Sequence, residues 1–257
     1  MPIPPHRTGT LFGLRFNAVS FREAVDLLCE QIPLRPAKVV VTPNVDHLLS
    51  LADDPDLRAI YNTADFKFVD GMPLVWASRW LGVSLPERVT GADLFVALCQ
   101  QAQARHWRVS ILGGLPGQEA MLTQRFQDVF PGLQVAIQSP AMGFDYRSDE
   151  AVEAVNRVNA FAPDLVFVCL GFPRQSLWSI THRHRLDTGL VLCVGAAMEF
   201  ALGFKTRAPR WMQVSGLEWL WRLGSDPRKL WRRYLLRGPR FIALVWREWK
   251  SSLKAGL

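Results

Sequence analysis

Leu165-Val166-Phe167-Val168-Cys169-Leu170-Gly171-Phe172-Pro173-Arg174-Gln175 is the stretch on which the fold turns. Its first six residues are apolar, and β-branched and aromatic side chains suit a strand buried on both faces. Gly171 and Pro173 then break the run, and a helical pattern follows. A strand that passes straight into a helix is half of a βαβ unit. The arrangement recurs. Val39-Val40-Val41, Phe66-Lys67-Phe68-Val69, Val109-Ser110-Ile111-Leu112, Leu133 to Ile137 and Leu190 to Val194 also read as strands. Amphipathic helices lie between them. Examples are Ala92 to Arg105 with Leu94, Phe95, Leu98 and Ala102 on one face, and Asp149 to Phe161 with Val152, Val155 and Val158; a further helix is expected over Pro73 to Leu81. The fold class is therefore α/β: a Rossmann-like, mostly parallel sheet with helices on both faces.

A hydrophobic fraction of 49% with 21% charged residues is that of a globular chain. The longest apolar stretches, Leu165 to Phe172 and Leu190 to Phe204, fall short of the ~20 residues of a membrane span and read as buried strands. Met1 to His6 lacks the basic start and apolar run of a secretory leader. Cys29, Cys99, Cys169 and Cys193 show no CxxC spacing and sit in apolar runs, so buried thiols in a reducing cytoplasm are expected.

The pattern changes after Gly203. Residues 1–204 form the expected α/β core, and 205–257 a helical, basic, Trp-rich appendage. Between Lys205 and Lys254 there are thirteen Lys or Arg and three acids, a charge of +10, while the rest of the chain carries −3. Six of the ten tryptophans lie there too: Trp211, Trp219, Trp221, Trp231, Trp246 and Trp249. Basic charge interleaved with aromatics suits an anionic lipid surface, a phosphorylated ligand or nucleic acid. In the last helix Ile242, Trp246, Trp249 and Leu253 share one face, and Arg240, Arg247, Lys250 and Lys254 another.

Ligands on parallel sheets bind outside the carboxyl ends of the strands, so the loops there carry the search. Thr42-Pro43-Asn44 is one such loop; its polar groups serve either a ligand or the capping of the next helix. Asp70 closes the second apolar run and reads as a general base raised in pKa by partial burial, or as an N-cap. Arg88 precedes a helix start, where it can meet a phosphate or stand in solvent. Gly113-Gly114-Leu115-Pro116-Gly117 lets backbone approach a diphosphate, but is neither GxGxxG nor a Walker sequence. Gln175 stands at a helix entry, and Gly195-Ala196-Ala197-Met198-Glu199 allows either close approach of a ligand or tight packing. His182 and His184 flank Arg183 and read as solvated. Asp54-Pro55-Asp56 spells DxD but reads as a surface turn. No metal site or catalytic nucleophile stands out.

Taken in order, these stretches resemble the WecG/TagA/CpsF family of bacterial glycosyltransferases from about Leu11 to the C-terminus. The matching motifs are Thr42-Pro43-Asn44, Asp70-Gly71, Arg88 to Leu94, Leu112-Gly113-Gly114, Gly171 to Gln175, Val194 to Ala197, Arg207 to Trp211, Gly216 to Leu220 and Asp226-Pro227-Arg228. The resemblance implies an inverting, metal-independent transfer from a UDP-sugar to a glycan on undecaprenyl diphosphate, in surface or exopolysaccharide synthesis. It implies Asp70 as base, with Thr42, Asn44, Arg88 and Gln175 lining the sugar and diphosphate pocket. Gly113, Gly114, Gly195 and Glu199 stand at the same strand ends. The appendage would supply arginines, drawn from Arg207, Arg210, Arg222, Arg228, Arg232 and Arg233, and dock on the cytoplasmic face of the membrane. No cofactor and no nucleic acid is expected, and the oligomeric state is not set by the sequence. Many relatives carry Phe-Asp where this chain has Met198-Glu199, and Glu where it has Ser176. The donor therefore stays open between a plain hexose such as glucose and an N-acetylhexosamine. The rival reading is a non-catalytic protein whose tail binds membrane or nucleic acid.

Overall fold

The structure, a computed structural model, describes residues 7–231 and 237–254. An antiparallel hairpin, β1 (Thr8–Leu11) and β2 (Leu14–Asn17), opens the chain. Six further strands make one sheet: β3 (Lys38–Val41), β4 (Phe66–Lys67), β5 (Arg108–Gly113), β6 (Gln134–Gln138), β7 (Leu165–Cys169) and β8 (Leu190–Cys193). Their order is β4-β3-β8-β7-β5-β6, and every pairing is parallel. The register brings the carboxyl ends level: Val41 pairs with Lys67 and Cys193, Val168 with Cys193, and Gly113 with Cys169. The loops after these strands therefore open along one edge of the sheet.

Alternation along the strands splits the core in two. Val39, Val41, Val166, Val168 and Val191 face one side. There they meet α2 (Val45–Asp53), α3 (Pro55–Asn62), α4 (Met72–Trp80), α7 (Asp149–Phe161) and α8 (Arg174–His182), with Leu48, Tyr61, Val75, Val155 and Trp178 buried. Val40, Ile111, Phe167 and Leu192 face the other side. That layer holds α1 (Phe21–Gln31), α5 (Gly91–Arg105), α6 (Glu119–Val129) and α9 (Ala197–Ala201), through Leu28, Phe95, Phe126 and Met198. The doubly covered parallel sheet is the α/β architecture expected from the sequence.

Beyond α9 come α10 (Arg210–Val214), α11 (Glu218–Ser225), α12 (Pro227–Trp231) and α13 (Gly238–Lys254). None of the described residues after Gly203 is a strand. Helix α13 returns to the core, burying Phe241 and Val245 in the α2–α4 layer. Among the described residues, no helix is long and apolar enough to cross a membrane.

Three local expectations change. Only Phe66–Lys67 pairs as strand; Phe68 and Asp70 follow on through N–H bonds to Val41 O and Pro43 O. The run from Leu190 to Phe204 is not one strand. It ends as strand at Cys193, turns at Gly195 with φ +57°, and continues as α9. His182 is buried at the end of α8, with Nε2 2.8 Å from the Tyr146 carbonyl oxygen, so it is a packed residue and not a solvated one.

Candidate active site

Two loops at the sheet edge and three helices of the C-terminal segment enclose a cavity of about 430 Å³. Asn44, Asp70 and Arg88 come from the core side; Gln213, Glu218, Arg222 and Phe241 come from α10, α11 and α13. The Asp70 N–H bonds Pro43 O at 3.0 Å, which ties the β4 loop to the β3 loop. Gly71, at φ +122°, is the residue that precedes α4, and no side chain caps this helix. Asp70 is thus released from capping and lines the cavity.

Burial pushes the Asp70 carboxyl up to about 6. Arg222 opposes that rise, Glu218 adds to it, and Arg88 and Arg207 oppose it. The result is a carboxylate that is ionised at neutral pH yet more basic than an ordinary aspartate, which is what proton abstraction needs.

Arg88 reaches across to the appendage. Its Nη1 donates to Glu218 Oε2 at 2.9 Å and its Nη2 to Gln213 Oε1 at 3.0 Å. Arg222 donates to Glu218 Oε1 through Nε at 3.1 Å and also through Nη2. Burial would raise the Glu218 pKa, but Arg222, Arg207 and Arg88 reverse this and hold it below the usual range. Arg207 grips Asp93 with both terminal nitrogens and touches Thr90 Oγ1 at 3.3 Å. Thr90 in turn caps α5 by accepting the Asp93 N–H. The Arg207 Nε is buried and has no acceptor among the described residues. Arg88 and Arg222 thus share Glu218 in the cavity wall, while Arg207, paired with Asp93, acts on Asp70 from beside it.

A second group lies along the same edge. The Gln175 Oε1 accepts the Gly195 N–H at 2.9 Å, joining the loops after β7 and β8. A Cβ on Gly113 would stand 2.5 Å from Cys169 Cβ, and one on Gly114 would stand 2.8 Å from Leu122 Cδ1, so both glycines are needed for packing. Thr42 is buried beside Gly91, whose added Cβ would lie 3.0 Å from Thr42 Oγ1 and 3.3 Å from Val194 Cα. Thr42 therefore sits between the two groups.

The family model described as glycosyl transferase WecG/TagA/CpsF matches residues 9–255. A Bacillus spizizenii protein, "N-acetylglucosaminyldiphosphoundecaprenol N-acetyl-beta-D-mannosaminyltransferase", is 30% identical over 215 residues, 84% of this chain and 81% of its own. A Staphylococcus aureus protein of the same description is 30% identical over 193 residues, 75% of this chain and 74% of its own. The chain belongs to the WecG/TagA/CpsF family. It is a glycosyltransferase, and the non-catalytic rival reading is set aside.

Within this family member, the structure gathers Asn44, Asp70, Arg88 and Arg222 around the cavity and bonds Arg207 next to it. Asn44 also caps α2, its Oδ1 accepting the Asp46 and His47 N–H groups. Gln175, Gly113, Gly114 and Gly195 do not line this cavity. Glu199 pairs with Lys205 at the surface. Arg210 and Arg228 are exposed and do not line it. Arg232 and Arg233 lie outside the described residues. Ser176 is buried and is not among the residues that line the cavity. Asp54 caps α3, which turns the DxD stretch into a helix start. Among the described residues, no three His, Cys, Asp or Glu side chains converge as a metal would require. Sequence reasoning gave no role to Glu218, Gln213 or Asp93, whose partners are far away in the chain.

Proposed function

We propose that this glycosyltransferase moves a hexose or N-acetylhexosamine-type sugar from a UDP-sugar to a glycan carried on undecaprenyl diphosphate, with inversion and without a metal. The observation that carries the proposal is Asp70: a basic carboxylate lining a cavity beside Arg88, Arg207 and Arg222. Two relatives are named for transfer to N-acetylglucosaminyldiphosphoundecaprenol, which supports the acceptor class.

In this scheme the acceptor hydroxyl gives its proton to an Asp70 oxygen as the hydroxyl oxygen bonds to the anomeric carbon. The bond from that carbon to the diphosphate oxygen breaks, and its electron pair leaves with UDP. Negative charge grows on the diphosphate, and preorganised guanidinium groups stabilise it best in a partly dry site. Arg222 and Arg88 stand where they can do this, and the unpartnered Arg207 Nε offers one further donor. The loops of the second group, with Gln175 and Gly195, would hold the uridine and sugar. Within the 205–257 appendage, α10, α11 and α13 complete the cavity, and α13 docks at the cytoplasmic face of the membrane, where such an acceptor resides.

The test is a panel of UDP-sugars offered with a lipid-diphosphate-linked acceptor, after a check that UDP raises the melting temperature. One UDP-sugar should turn over with inverted anomeric configuration. Absence of both UDP stabilisation and turnover across the panel would refute the reading.

A further inference from the structure

Helix α4 belongs to the core, yet it keeps two tryptophans in water. Its Leu74, Val75, Ala77 and Ser78 are buried, while Trp76 is 47% and Trp80 54% exposed. Four residues apart, the two lie along one edge of the helix. Trp80 is not isolated. Its ring stacks on Trp249 of α13, with centroids 5.8 Å apart and planes 13° apart, and Trp249 lies 4.8 Å from Trp246. Ile242, one turn before Trp246, is 71% exposed and also lines the cavity that holds Asp70. An aromatic and aliphatic ridge therefore runs from α4 across α13 to the cavity.

The ridge is held firmly from behind. Phe241 and Val245 are buried, Phe12 meets Phe241 edge to face at 5.8 Å, and the Phe12 N–H donates to Glu248 Oε1 at 3.0 Å. Arg240 pairs with Asp53 of α2. These contacts fix which face of α13 looks outward, so its exposed side is set by packing. The charge of the ridge has one sign. Arg79, Arg247 and Lys250 are exposed around it, and Lys250 Nζ lies 5.3 Å from the Trp246 ring centroid. Helix α4 has no acid, and Glu248, the acid of α13, is turned inward to Phe12.

Contiguous exposed apolar surface rimmed by charge marks a docking site. Tryptophan with flanking Lys and Arg is the composition of a protein edge at an anionic headgroup layer. We infer that α4 and α13 together form one face that docks on an anionic phospholipid bilayer, so that a core helix shares a role otherwise given to the C-terminal helix alone. The inference deepens the lipid-linked acceptor reading, because Ile242 joins the docked face to the cavity. The attraction of these cations to an anionic surface is screened by salt, so attachment is reversible and salt-sensitive.

The experiment is co-sedimentation of the full chain with vesicles of phosphatidylglycerol and phosphatidylcholine, and with phosphatidylcholine alone. Wild type should bind the anionic vesicles more strongly. Trp80→Ser and Arg79→Glu, both on α4, should each lower the bound fraction, by about tenfold for the tryptophan. Unchanged binding in both variants overturns the inference. Radical footprinting of the wild type guards against misfolded variants: oxidation of Trp76 and Trp80 should fall when anionic vesicles are added. Continued oxidation of both would place the bilayer elsewhere. A lipid-free dimer that is lost in Trp80→Ser, with no vesicle binding by wild type, would assign the face to a second copy and also overturn it. None of these readouts uses sugar transfer, so a failed docking test leaves the enzymatic reading standing, and a protein inert to UDP could still pass it.

Discussion

Arg88 and Glu218 stand 130 residues apart in the chain and 2.9 Å apart in space. Both side chains are largely enclosed, with side-chain exposures of 15% and 16%, and Arg222 shares the same carboxylate. This is the polar seam between the core and the C-terminal helices. Its consequence can be measured through Asp70. Glu218 adds like charge near Asp70, and it also occupies two of the arginines that would stabilise the Asp70 anion. Removing its charge acts in one direction on both counts, lowering the Asp70 pKa. Glu218→Gln should therefore move the acidic limb of the pH–rate profile to lower pH, while stability falls by roughly 1–3 kcal/mol because two arginines lose their partner. Loss of stability with an unmoved limb would reduce Glu218 to a structural tie.

Asp70→Asn separates chemistry from folding. As a base, Asp70 should be worth about 10²–10⁴ in turnover. Its effect on stability has the opposite sign. The folded pKa, about 6, lies above the ordinary aspartate value of 3.8, so the folded state binds more protons than the unfolded state between those values. Stability contributed by protonated Asp70 is complete below pH 4 and is lost as pH rises through 6. Above that, the buried charge is a cost of about 1–3 kcal/mol. Asp70→Asn should thus melt higher than wild type at pH 7.5 and no higher at pH 4, while turning over poorly. A variant that melts lower at both pH values would show that Asp70 is a structural acid.

The fold was legible where local pattern and burial agree. Asp149–Phe161 is a helix with the bounds its pattern implies, because Ser148 caps it and Val155 and Val158 bury the expected stripe. Residues Leu165–Cys169 pair on both edges and so needed an unbroken apolar run. The N-terminal hairpin was not legible. Its two-residue turn places Phe12 at φ 53° and Gly13 at φ 72°, and Phe where Asn or Asp is usual hides the signal. Asp70, Arg88 and Asn44 could be found because strand-end loops are short and their polar residues few. Glu218 could not be given a role, since it matters only through arginines that folding brings to it. The exposure of Trp76 and Trp80 was hidden for a similar reason, as a helix read alone does not say how wide its buried face is.

Charge neutralisation by arginine makes a prediction about metal. If Arg88, Arg207 and Arg222 take the charge of the departing diphosphate, a divalent ion has no task left there. Turnover should be the same before and after dialysis against EDTA, measured with the UDP-sugar that the panel identifies. An activity abolished by EDTA and restored by one divalent ion would overturn the arginine scheme while leaving Asp70 as base.

Gly216 offers the sharpest test of how the C-terminal helices close the cavity. It lines the cavity just before α11, at φ +71°, a conformation that costs other residues about 1–2 kcal/mol. A Cβ there would also stand 2.4 Å from Trp76 Cη2, 2.8 Å from Cζ2 and 3.1 Å from Met72 Cβ. The indole or the α10–α11 turn must shift to admit it, so overpacking adds up to ~1–3 kcal/mol. Gly216→Ala should therefore push α11 away from α4, carry Glu218 and Arg222 with it, and weaken UDP binding as well as stability. Adding Trp76→Ala should restore part of both, since the steric term vanishes while the backbone term stays. The coupling between the two substitutions in a double-mutant cycle measures the closure directly. If Gly216→Ala binds UDP as tightly as wild type, the packing of α11 on α4 is not what shapes the site.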